Sequence, residues 1–102
     1  MVEVVHVRRC NPPFGQPGDI YIGRVSYGFP DSKWKNPFHM KDESDRMNVI
    51  KKYEKYLFET GLINDIEELM EAKRLGCWCS PKPCHGDVLV KYINLHNKIV
   101  PT

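Results

Sequence analysis

The chain has 102 residues, 41% of them hydrophobic and 27% charged, with a formal net charge of +2. That length fits one domain, large enough to bury a core without disulfides or a metal. The small net charge gives no support to bulk nucleic-acid binding, which needs a clustered basic face, and no apolar run approaches the roughly 18–20 residues of a membrane span. The opening Met1-Val2-Glu3-Val4-Val5-His6 carries an early acid and lacks the apolar core and cleavage site of a secretory signal. The expectation is a cytoplasmic or intracellular protein whose thiols are reduced.

Val2 to Arg9, rich in β-branched residues, predicts a largely buried strand. A loop dense in Pro and Gly follows, Asn11 to Gly18, and then a short strand, Asp19 to Arg24, with Ile20 and Ile22 on one side. Val25 to Met40 has no clear period but recurring aromatics: Tyr27, Phe29, Trp34 and Phe38. A long loop of that kind is functional or pinned over the core. Ser44 to Thr60 predicts a helix capped by Asp42 or Ser44, with Met47, Ile50, Tyr53 and Leu57 as its apolar stripe and Gly61 as its stop. A second helix is predicted from Asn64, with Glu67 three residues on, Ile66, Leu69 and Met70 inward, and Lys73 and Arg74 in its last turn. Leu75 to Cys79 reads as a buried strand, Ser80 to Pro83 as a turn, and Gly86 to about Asn97 as a third helix facing inward through Val88, Leu89, Tyr92 and Ile93. The fold expected is α/β or α+β: a single domain over 1–102, in the order strand, strand, helix, helix, strand, helix, with a partly parallel sheet flanked by helices.

The run from Cys77 to Gly86 holds three of the four cysteines and one of the four histidines. Cys77 and Cys79 are two apart on the predicted strand and share a face, the pattern of small core thiols. Cys84 and His85 stand just ahead of a helix start, where free N–H groups lower a thiol's pKa or hold an anion. They are therefore candidate nucleophile and base, against the plainer reading of a packed Cys84 and a capping His85. A zinc ion would draw on Cys77, Cys79, Cys84 and His85. Cys-x-Cys followed by an adjacent Cys-His is poor tetrahedral spacing, so no metal is favoured.

The second constellation runs from Ile22 to Ser26 and from Trp34 to His39. Arg24 at a strand end can clamp a phosphate or carboxylate bidentately, and Ser26 and Asn36 can add neutral hydrogen bonds. If the strands are parallel neighbours, Arg24, Ser26 and Asn36 meet Cys84, His85, Gly86 and Asp87 at one end of the sheet, where open α/β sheets bind ligands. Such a site suits a small anion such as a nucleotide.

Four blocks in order, Gly23-Arg24-Val25-Ser26, Lys35-Asn36-Pro37-Phe38, Leu75-Gly76-Cys77-Trp78-Cys79 and Pro83-Cys84-His85-Gly86-Asp87-Val88-Leu89, resemble the signature of a domain-of-unknown-function family of phages, archaeal viruses and prokaryotes. The resemblance covers about residues 20 to 95. It implies no particular activity and raises the weight of Arg24, Asn36, Cys84 and His85 as one site, in a protein that then works inside the host cell. Lys35 departs from the pattern, which often has Gly before Asn-Pro-Phe. Three functions are carried forward: a nucleotide- or nucleoside-handling protein, with or without catalysis and with an anion at a helix N-terminus; a viral or cellular module that grips a protein or peptide partner; and a structural zinc domain.

Overall fold

A computed structural model describes residues 2–99. Three strands, β1 (Glu3–His6), β2 (Asp19–Tyr21) and β3 (Arg74–Cys77), form one sheet in the order β1-β3-β2, with β3 parallel to both neighbours. The last strand in sequence is thus the central one and is buried along its whole length. The helices are α1 (Arg46–Glu59) and α2 (His85–Ile99), with a 3-10 turn at Glu43–Asp45 and a 3-10 helix at Leu62–Leu69. The class is α/β, and the sheet is fully rather than partly parallel.

Side-chain alternation along β3 divides the molecule. Leu75 and Cys77 face the helices, where they pack with Ile22, Tyr53, Leu57, Leu69, Val88, Leu89 and Ile93. Gly76 points the other way and lies directly under the Phe14 ring: a Cβ there would stand 2.4 Å from Phe14 and 2.7 Å from Val7. Loop aromatics cover this second face in place of helices. Phe29 stacks on Tyr21 at 4.6 Å and meets Phe14 and Trp78 edge-on. Trp34 leaves that group and enters the helical core, where the Tyr53 hydroxyl donates to its carbonyl at 2.7 Å. The long aromatic loop is pinned on both sides of the sheet.

Several local expectations are corrected. The stripe of α1 is Val49, Tyr53 and Leu57, and Met47 is exposed. Spacings of four bring Val49 rather than Met47 onto the buried face. The second helix is a 3-10 helix whose N-cap is Gly61, in the left-handed conformation at φ 77°, rather than Asn64. Its inner residues, Ile66 and Leu69, are as expected, while Met70 is only partly buried. Arg74 is not a helix-terminal cation. It begins β3, where its Nε and Nη2 donate to the two oxygens of Asp19 at 2.7 and 2.6 Å, and Nη1 and Nη2 reach the carbonyls of Pro12 and Pro13. Asp19 Oδ2 also accepts the Gly15 and Gln16 N–H groups at 2.9 Å. This clamp ties the β1–β2 loop to the sheet and pulls the Asp19 carboxyl from its ordinary 3.8 to about 2, chiefly through the Arg74 hydrogen bonds. Among the described residues, no helix is long and apolar enough to cross a membrane.

Candidate functional site

The carboxyl ends of β2 and β3 open into a cavity of about 390 Å³. Its lining includes Arg24, Ser26, Asn36, Cys84 and His85, five of the seven residues that parallel strands were expected to bring together, and also Gly23, Phe38, Arg46, Val49, Ile50, Cys77, Trp78 and Cys79. Gly86 and Asp87, grouped with them from the sequence, do not line it.

Local capping explains that exclusion. Cys84 is the N-cap of α2. Its Sγ accepts the Gly86 N–H at 3.3 Å, its carbonyl accepts the Asp87 N–H at 3.0 Å, and its own N–H donates to Asp87 Oδ2 at 3.0 Å. This is a capping box with sulfur at the cap and Asp at the third helical position. The N–H groups of Cys84, Gly86 and Asp87 are therefore occupied within the turn, with a carboxylate already present. An anion seated on the α2 N-terminus does not fit this arrangement. Gly86 has a packing role instead, since a Cβ would stand 2.9 Å from Ile22 and 3.0 Å from Val4.

His85 is buried between Tyr53, whose ring meets it edge-on at 4.9 Å, and the Ile22 carbonyl, 2.7 Å from Nε2. A carbonyl only accepts, so Nε2 carries the proton and Nδ1 is the ring's unprotonated acceptor. Burial lowers the pKa and keeps the ring neutral, offset in part by the bond to Ile22.

All four thiols are free. The Sγ atoms of Cys77 and Cys84 lie 3.5 Å apart, both almost wholly buried. Contact with Cys84, together with the neighbouring backbone of Ser80 and Cys79, outweighs burial and pulls the Cys77 pKa down. The same contact, with burial, pushes Cys84 up. The pair is therefore unequal, with Cys77 drawn toward ionisation and Cys84, the candidate nucleophile of the sequence, pushed the other way. Cys79 lies past the end of β3, half-buried on the cavity wall. Among the described residues no three His, Cys, Asp or Glu side chains converge as a metal site; His85 Nε2 is committed to Ile22 while Cys77 and Cys84 face each other.

Two arginines line the cavity. Arg24 donates from Nε to the Asn36 carbonyl at 3.0 Å and from Nη2 to the Phe38 carbonyl at 2.9 Å, leaving Nη1 without a protein partner among the described residues. Asn36 is buried, its amide nitrogen 3.3 Å from the Val49 carbonyl and its side-chain oxygen accepting the Phe38 N–H at 2.9 Å. Its side chain shapes the loop that holds Arg24. Ser26 pairs through its backbone with Phe29, across the turn that carries exposed Tyr27. Arg46, at the first turn of α1, had no signal in the sequence beyond a helix charge. Its Nε and Nη2 grip Glu43 at 2.9 Å while Nη1 reaches the Pro83 carbonyl at 2.8 Å, which fastens α1 to the loop before α2.

Residues 5–95 match a family described as a domain of unknown function, DUF4326. The chain belongs to that family. It is 37% identical over 107 residues to the uncharacterized protein R718 of Acanthamoeba polyphaga mimivirus, a match that covers 93% of this chain and 82% of the relative. A shorter match, 52% identical over 27 residues, covers 26% of the chain and 25% of an uncharacterized 12.4 kDa protein in the nrdA-td intergenic region of Enterobacteria phage T4. No solved structure matches it.

Proposed function

We propose that this DUF4326 protein binds a small phosphate-bearing ligand, a nucleotide by preference, in the cavity at the carboxyl ends of β2 and β3. The observation that carries the reading is Arg24, its Nη1 without a protein partner among the described residues, on the wall of one 390 Å³ cavity that also presents Phe38, Ile50 and Trp78. That volume falls within the roughly 300–1,000 Å³ of small-molecule sites, and a mostly apolar wall with few charged groups is their usual composition. Arg24 offers the unpartnered Nη1 to a phosphate oxygen, and the apolar wall takes the base. Whether chemistry follows binding turns on Cys77, Cys84 and His85.

Thermal unfolding against adenosine, nucleoside mono- and triphosphates and inorganic phosphate tests the reading. A ligand at a hundred times its Kd stabilises by about 2.7 kcal/mol, roughly 10 °C in Tm for a domain of this size. Arg24→Ala should lose that rise. No shift with any of these compounds overturns the proposal.

Exposure of Val25 and Tyr27, 70% and 87%, in the turn beside Arg24 favours a second reading, in which this edge grips a protein or peptide partner. Pull-down with wild type and with Val25→Ser/Tyr27→Ser separates the two: capture lost in the double variant while nucleotide binding is absent in both supports the partner.

A further inference from the structure

We propose that Cys77 and Cys84 form a reactive dithiol that a hydroperoxide converts to an intramolecular disulfide. The two Sγ atoms are already 3.5 Å apart, and both residues line the cavity, which gives a small oxidant a route to thiols otherwise sealed in the core. A disulfide needs the sulfurs at about 2.05 Å. Closing the remaining gap of about 1.5 Å asks for rotation of the side chains and costs the Gly86 N–H its acceptor on Cys84. Simple core packing accounts for two buried thiols, but not for a pair of sulfurs 3.5 Å apart that also lines an open cavity.

Cys77, whose contact with Cys84 draws it toward ionisation, reacts first. The Cys77 thiolate attacks one oxygen of the hydroperoxide; the O–O bond breaks, the alkoxide or hydroxide leaves and takes a proton from water, and Cys77 becomes a sulfenic acid. Cys84 then attacks the Cys77 sulfur. The S–O bond breaks, and the departing hydroxide takes the Cys84 proton and leaves as water. In sum, one hydroperoxide and two thiols give one disulfide, one alcohol or water, and one water. Among the described residues Cys10, in the β1–β2 loop, shows no sulfur contact of this kind, and Cys79 is the other thiol on the cavity wall. The reaction does not depend on the nucleotide reading, because a protein that bound no nucleotide would still carry the pair.

The test treats the reduced wild-type chain with graded hydrogen peroxide, blocks the remaining thiols and maps peptides without reduction. The expected result is loss of two of the four thiols, a mass lower by about 2 Da, a cross-linked peptide joining Cys77 to Cys84, and full reversal by dithiothreitol. In Cys84→Ser the reaction should stop at a sulfenic acid on Cys77 that dimedone traps. Three results overturn the proposal: a wild-type chain in which Cys77 proceeds to sulfinic acid with no cross-link, a cross-link that uses Cys79 or Cys10, or four intact thiols at a dose that oxidises free cysteine. Mapping of the wild type decides the matter even if the variant does not fold.

Discussion

Asp19→Asn removes the negative half of the clamp that joins the β1–β2 loop to β3. The Asp19 side chain is 2% exposed and meets Arg74 through two charge-assisted hydrogen bonds. Its carboxyl falls from the ordinary 3.8 to about 2 in the fold. Each tenfold difference in proton affinity is worth about 1.4 kcal/mol, which sets a ceiling of about 2.5 kcal/mol. The clamp sits just beneath a surface loop, so solvent screening reduces this to about 1–2 kcal/mol. The folded pKa is the lower one, so the unfolded chain binds the proton more tightly and acid favours unfolding. The contribution is complete above about pH 5 and fades as pH falls through 3.8 toward 2. Urea unfolding of wild type and Asp19→Asn between pH 7 and pH 2 should show a gap of about 1–2 kcal/mol at pH 7, narrowing steadily below pH 4. A gap of constant size across that range refutes the reasoning, because the loss would then come from packing and not from the charge.

Gly76→Ala places a methyl group against Phe14 and Val7 and should cost about 1–3 kcal/mol by overpacking; denaturant midpoints would show it, and Phe14→Leu in the same chain should recover part of the loss. If the double variant is no more stable than Gly76→Ala, the clash with Phe14 is not the cause. The His85 ring should stay neutral at pH 6.5, where a free imidazole is about half protonated. Its ring resonances followed by NMR give the check, and a midpoint at or above 6.5 contradicts the burial described.

The convergence of Arg24, Ser26 and Asn36 on Cys84 and His85 was legible because it needs only parallel neighbouring strands and the rule that loops after their carboxyl ends meet. What those side chains do once there was not legible. Asn36 turns inward to backbone partners, and Asp87 occupies the helix start that looked open to a ligand; both depend on hydrogen bonds whose partners are one to four residues or a loop away. Arg46 was invisible because a helix-terminal Arg beside Glu43 has the pattern of a solvated ion pair, and only the fold brings it to Pro83 and the cavity. Arg74 was misplaced because basic residues after an acidic segment suit a helix dipole as well as they suit a buried clamp. The 3-10 character of Leu62–Leu69 escaped for a related reason: over eight residues, apolar spacings of three and four look alike.

The narrow sheet has a consequence for how this chain tolerates crowding. A three-stranded sheet with its longest-buried strand in the middle has two outer strands, and here they span four residues and three. An outer strand is a template on which another chain can add by backbone pairing, and its hazard grows with its length and flatness. Each edge of this protein offers so few consecutive groups that an incoming strand gains little before it meets the β1–β2 loop or the turn at Gly23. Brevity at the margins limits what an added strand can pair with while leaving the carboxyl ends of the strands free to hold a cavity.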